Sequence, residues 1–209
     1  MKEITWIRIT KAGGTSLNDK LQHTNINYYT PTLSSYYKFK NNNNNNSMII
    51  ANVREPLEKI YSAYNFLKKE SNDRCHQIIK KDISFYDFLN LIIKLRENCN
   101  TYNIELFNGI YCTKKKLIFG ELDYQVYWVL SHVESNINSI EFFTEQNNVY
   151  KIRLEHLDND IKIIFPDINF QHLNKSSYSK IKYDDLDDKC KLLFDKLYKH
   201  DMDFYNSLN

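Results

Sequence analysis

Glycine is scarce in this chain: four among 209 residues, and two of the four adjoin as Gly13 and Gly14. Long apolar runs are missing as well. No stretch of eighteen consecutive apolar residues exists, which excludes a membrane-spanning helix written in the usual way. Cysteine is sparse and scattered, at Cys75, Cys99, Cys112 and Cys190. No pair has C-x-x-C spacing and no histidines complete a zinc pattern, so no metal is expected. The thiols read as reduced; a disulfide stays open only for a protein that enters a secretory compartment. Charge of one sign is missing too. Lys and Arg number 28 against 26 Asp and Glu, a net charge of +2. That excludes binding to a nucleic acid or other polyanion by bulk charge, and any basic cleft must be local.

What is present describes a folded chain. Hydrophobic residues are 42% and aromatics 14%, with 16 tyrosines, which is not the composition of a disordered protein. A length of 209 residues suits a single domain over 1–209 with a sizeable core. The chain enters an apolar segment almost at once, with no leader-type apolar stretch before it. The expectation is a soluble protein of a cytosol-like compartment without stable membrane insertion.

The glycine pair sits in an informative place. Ile4-Thr5-Trp6-Ile7-Arg8-Ile9 is β-branched and aromatic and reads as a strand. Lys11-Ala12-Gly13-Gly14-Thr15-Ser16 follows, and Leu17 to Gln22 reads as a helix. A strand, a glycine turn and a helix start aim backbone N–H groups at one point, where an anion can be held. Gly13 and Gly14 permit close backbone approach, Lys11 adds a mobile charge, and Thr15 and Ser16 add hydroxyl donors. The pattern is not the nucleoside triphosphate loop G-x-x-x-x-G-K-[ST], because the lysine precedes the glycines.

A second segment has similar form. Met48 to Val53 is an apolar strand, followed by Arg54-Glu55-Pro56-Leu57-Glu58-Lys59-Ile60-Tyr61-Ser62-Ala63-Tyr64. Pro56 suits the first position of a helix. Leu57, Ile60, Tyr61, Tyr64 and Leu67 recur at helical spacing. Arg54, at the strand exit, offers a planar fork for a phosphate, and Ser62 offers a hydroxyl two turns on.

Together the two segments resemble the sulfotransferases that use 3′-phosphoadenosine 5′-phosphosulfate (PAPS), most closely the carbohydrate O-sulfotransferases of the heparan and chondroitin type. The first motif of that family reads roughly H-I-P-K-T-G-G-T-S, and the second V-R-D-P-L-x-R-x-x-S-x-Y, about forty residues later. Three weaker matches follow. Arg153-Leu154-Glu155-His156-Leu157 is similar to an R-x-E-x-L strand end. His172-Leu173-Asn174-Lys175-Ser176 is similar to a late H-x-N-x-S loop near the nucleotide. Tyr198, Asp201 and Tyr205 match a closing helix.

The resemblance implies an α/β, P-loop-like three-layer fold with a central parallel sheet flanked by helices. It implies sulfuryl transfer from PAPS to a hydroxyl acceptor, with a glycan as the acceptor class. Lys11 would act at the leaving phosphate oxygen. The donor would be bound by Lys11, Ala12, Gly13, Gly14, Thr15, Ser16, Arg54, Ser62, Asn174, Lys175 and Ser176. Lys114-Lys115-Lys116 is the basic run best suited to an acidic glycan. Animal relatives carry a membrane anchor and work in the Golgi; this chain is expected to differ.

The general base is where the pattern departs. Relatives place a His or Glu between the first helix and the second motif, and Thr24 to Ser47 contains neither. His23 and Glu121 are the candidates that remain, with His132 read as structural or exposed and Glu155 as a brace for Arg153. A nucleotide-binding module without catalysis and a P-loop-like kinase are the alternatives. Along the rest of the chain, Ile26 to Tyr37 is expected to hold a strand and Asn41 to Asn46 an exposed loop. Helix is expected at Ile78-Ile79, Phe85 to Leu95, Glu121 to Leu130 and Asp185 to Tyr205. Asn98 to Lys116 reads as loop and Asn148 to Leu154 as strand.

Overall fold

The computed structural model of the chain describes residues 4–14, 17, 26–42, 48–70, 74–102, 104–107, 110–113, 120–144, 149–166 and 180–208. Its centre is a four-stranded sheet of β1 (Ile4–Ile7), β2 (Ile26–Tyr29), β3 (Met48–Val53) and β6 (Tyr150–Arg153). The lateral order is β2-β1-β3-β6, and every pair is parallel. Helix α1 (Leu33–Asn42) links β2 to β3. Between β3 and β6 come α2 (Pro56–Lys69), α3 (Phe85–Glu97), the antiparallel hairpin β4 (Ile104–Phe107) and β5 (Ile110–Thr113), α4 (Glu121–His132) and α5 (Asn136–Glu141). Helices α6 (Leu157–Ile164) and α7 (Asp188–Asn206) complete the described chain.

Burial explains why the inner strands read as continuous apolar runs. All four residues of β1 are buried, as are the last five of β3. Alternate side chains serve opposite faces. Ile4, Trp6, Ile50 and Ile152 pack with Leu17, Leu157 and Ile161. Ile7, Ile49, Ala51 and Val53 pack with Phe39, Ile140, Phe142, Phe143 and Tyr205. Helices thus cover both faces, which is the α/β layering expected. A separate core joins α2, α3, α4 and α7 through Leu57, Ile60, Leu67, Phe88, Leu89, Ile92, Val129 and Phe194.

Helix α2 starts at Pro56 and ends at Lys69, as its periodicity predicts, with the Glu55 carboxylate capping the N–H groups of Leu57 and Glu58. Four expectations need correction. Ile78 and Ile79 lie in a turn that closes on the Cys75 carbonyl rather than in a helix. The stretch from Asn98 contains a 3-10 turn, Cys99–Tyr102, and the β4–β5 hairpin rather than loop alone. Helix α1 was not anticipated, and it takes in Asn41 and Asn42; Asn43 to Asn46 lie outside the described residues. The closing helix begins at Asp188, capped by Asp187, with a 3-10 turn at Tyr183–Asp185 before it. All four cysteines are buried unbridged thiols. Among the described residues, no helix is long and apolar enough to cross a membrane.

The strand order positions the site. β1 lies between β2 and β3, so the sheet grows in opposite directions on its two sides. Open parallel sheets bind ligands beyond the carboxyl ends of the strands where that direction reverses. Here the reversal lies at β1 and β3, the strands that lead into Lys11 and Arg54.

Candidate functional site

The turn after β1 is held from beneath by a residue that the sequence reading took for part of an apolar run. Asn52, 2% exposed in β3, uses its whole amide. Its Oδ1 accepts from Trp6 Nε1 at 2.9 Å and from the Ile9 N–H at 3.0 Å. Its Nδ2 donates to the carbonyls of Ile9 at 3.0 Å and Ala12 at 2.8 Å. That satisfies both lone pairs and both N–H groups, a complete buried network. Lys11 takes a left-handed backbone, φ 61°, and Gly13 another, φ 79°. For a lysine this conformation costs on the order of 1–3 kcal/mol, so the turn is locked by its surroundings. A Cβ on Gly13 would lie 2.4 Å from Leu154 Cδ1. Only glycine fits there as packed. Gly14 is buried against Arg8, and the Gly13 carbonyl accepts from Leu17 N at 3.2 Å.

From this turn the Lys11 side chain reaches α2. Its ammonium lies 3.3 Å from the centre of the Phe66 ring. Burial pulls the Lys11 pKa down to about 8, with the Arg54 guanidinium lowering it further and Glu70 opposing. Arg54 is the neighbour: its Nη1 donates to the Lys11 carbonyl at 3.3 Å. The two strand exits therefore meet. Arg54 is 11% exposed and flanked by carboxylates, with Nη2 3.1 Å from Glu58 and Nε 3.8 Å from Glu155. Its Nε is buried and makes no hydrogen bond.

Ser62 is half-buried on α2, four residues after Glu58 and four before Phe66. Residues four apart share a helix face. Glu58 touches Arg54 and Phe66 touches Lys11, so Ser62 lies on the stripe that faces both. Ala12 is buried at the base of the turn. Thr15, Ser16, His23, Lys114 to Lys116 and Asn174 to Ser176 lie outside the described residues.

The C-terminal end of α4 also packs against this turn and α2. Thr10 Oγ1 donates to the Ser131 carbonyl at 3.0 Å, tying that helix end to the turn. His132 stacks on Phe66 with centroids 5.1 Å apart and planes 18° from parallel. It is therefore buried beside the site, where the sequence reading left it as structural or exposed. Its Nδ1 lies 2.7 Å from the Trp128 carbonyl. A carbonyl only accepts, so Nδ1 carries the proton and Nε2 presents a lone pair. Burial holds its pKa down to about 4; the Trp128 bond raises it, and Lys11, Lys59 and Arg74 lower it. Glu121 is not brought here. It opens α4 eleven residues before His132, about 16 Å along the axis. There it is exposed and 3.9 Å from His76.

The downstream matches act as struts. Asp201 accepts from the N–H groups of Asn136 and Ile137 at 2.8 and 3.0 Å and so caps α5. Asn136 in turn pairs with the Arg54 backbone in both directions, at 3.3 and 2.8 Å. Tyr198 donates to the Val133 carbonyl at 2.7 Å. Glu155 departs from the role expected of it. Arg153 pairs with Asp160, at 2.8 Å, while Glu155 accepts from Tyr205 at 2.6 Å and from the Glu55 N–H at 3.3 Å. Lys59, fully buried, donates to the Glu134 carbonyl beneath the site, and burial lowers its pKa to about 8.

No protein-family model, curated protein or solved structure matches this chain. Among the described residues, no group of three or more His, Cys, Asp or Glu side chains is arranged to hold a metal ion.

Proposed function

We propose that this protein is a PAPS-dependent O-sulfotransferase with a P-loop-like fold, acting on a hydroxyl acceptor of the glycan class. The observation that carries the reading is the meeting of Lys11 and Arg54 at the ends of adjacent parallel strands, joined by a direct hydrogen bond. Two cations so placed suit a donor with two separated phosphate groups.

On this reading Lys11 and the N–H groups that follow it stabilise the charge that develops on the leaving phosphate oxygen. Pre-aligned donors of this kind typically contribute about 10²–10³ in rate. Arg54 and Ser62 hold the 3′-phosphate, and the buried Nε of Arg54, which makes no hydrogen bond, is the donor such a group would satisfy. Much of the remaining catalysis is positioning, by analogy with phosphoryl transfer.

A second reading keeps the nucleotide site without catalysis. The pairing of Arg54 with Glu58 and Glu155 favours it, because an arginine already held by carboxylates serves as an internal strut. Thermal shift with 3′-phosphoadenosine 5′-phosphate (PAP) against ATP with magnesium tests for the site. Turnover of labelled PAPS over an acceptor panel separates the enzyme from the binding module. Stabilisation by PAP together with turnover supports the sulfotransferase; stabilisation by ATP with magnesium alone contradicts it.

A further inference from the structure

We propose that Nε2 of His132 is the base that takes the proton from the acceptor hydroxyl. The inference rests on the sulfotransferase reading, and supplies the group that reading lacked. Three observations converge on it. The ring stacks on Phe66, the same aromatic ring over which the Lys11 ammonium lies, and the Lys11 charge acts directly on the imidazole. The helix end that carries His132 is fastened to the donor turn by the Thr10–Ser131 bond. The Nδ1–H is held by the Trp128 carbonyl, which fixes the ring's orientation and tautomer and leaves Nε2 with no partner among the described residues. A base oriented through its far nitrogen is the arrangement general-base catalysis requires.

The acceptor oxygen forms a bond to sulfur with its own electron pair, and its proton passes to His132 Nε2. The bond from sulfur to the phosphate oxygen breaks, and that oxygen keeps the pair, facing Lys11. The imidazolium then returns its proton to solvent. The groups around the ring set its readiness. Burial and the cations Lys11, Lys59 and Arg74 keep it neutral at physiological pH. An anion at Lys11 offsets the strongest of these cationic influences and so raises the ring's basicity when the donor is in place.

The test compares wild type, His132→Asn and His132→Gln, each with labelled PAPS and two acceptors. One acceptor is a sugar alcohol, which must lose a proton during transfer. The other is an acidic nitrophenol, already ionised at the assay pH. The asparagine amide can replace Nδ1–H at Trp128 and leaves the Nε2 position empty. Calorimetry with PAP reports whether each variant still folds and holds the donor side. The expected result is a loss of about 10²–10⁴ in kcat for the sugar alcohol. Transfer to the nitrophenolate and PAP affinity should stay near wild type. Equal losses for both acceptors, or no loss for either, overturn the assignment while leaving the sulfotransferase reading intact. A wild type that neither binds PAP nor transfers from PAPS removes both.

Discussion

Arg54 donates through Nη1 to the backbone carbonyl of Lys11, at 3.3 Å, across 43 residues of sequence. The bond does two things. It ties the exit of β3 to the turn after β1, and it brings a second cation beside an ammonium that burial already disfavours. A fold gains little stability from two cations placed together. Such an arrangement is expected where an anion is to be held between or beside them.

The left-handed backbone of Lys11 carries a prediction that separates function from stability. Lys11→Gly relieves a conformation that L-residues avoid and removes a partly buried charge. The variant should be more stable than wild type, by about 1 kcal/mol in denaturant midpoint analysis. It should at the same time lose transfer by about 10²-fold or more. A stabilised variant with full activity contradicts the role given to the side chain.

Lys11 also sets a pH limit. With its pKa lowered to about 8, the ammonium loses its proton as pH rises through that value. On the proposed function, kcat/KM falls on the alkaline side near pH 8. Lys11→Arg keeps its charge throughout that range, so the variant's residual activity should show no such limb. A limb unchanged by the substitution assigns it to another group.

His132 makes stability depend on pH in a calculable direction. Its pKa is about 4 folded and 6.5 when unperturbed, so between these values the unfolded chain binds more protons. Stability therefore falls as pH drops from about 6.5 to 4, by roughly 3 kcal/mol from this residue. Buried Asp201 and Glu134, whose pKa values are raised, act in the opposite sense, so the quantity to measure is the difference between wild type and His132→Asn. That difference should shrink toward pH 4; a constant offset rules the linkage out.

Asn52 is the residue on which the turn rests. Asn52→Ala strands the Trp6 indole N–H, the Ile9 N–H and two carbonyls, all of which it now satisfies. The expected cost is roughly 3 kcal/mol or more in chemical denaturation. Asn52→Asp, which keeps the acceptor side only, should also be destabilised. A loss below about 1 kcal/mol for the alanine variant contradicts the account of the turn.

Much of this was legible in the sequence, and the parts that were not have physical reasons. β1 and β3 announce themselves because strands buried on both faces need unbroken apolar residues. α2 is delimited by Pro56 and by its apolar period. Lys11 and Arg54 stood out because each follows such a strand. Asn52 was concealed by the same run that made β3 visible; a polar residue inside a buried strand was the signal available. α1 was hidden because Leu33–Asn42 is rich in Ser, Tyr, Lys and Asn, and only Phe39 and its neighbours anchor it. The β4–β5 hairpin has strands of four residues each, too short for alternation to show. His132 was passed over for Glu121 on the same helix. Only the packing of α4 shows which end of that helix meets the turn.

The central claim is that Lys11 and Arg54 hold opposite ends of one doubly phosphorylated adenosine. Calorimetry with PAP and with ADP, on wild type and Arg54→Ala, tests it most directly. The account predicts that wild type prefers PAP, and that Arg54→Ala weakens PAP by about tenfold or more while leaving the weaker binding of ADP nearly unchanged. Equal affinity for the two nucleotides, or the same loss for both in the variant, would contradict it.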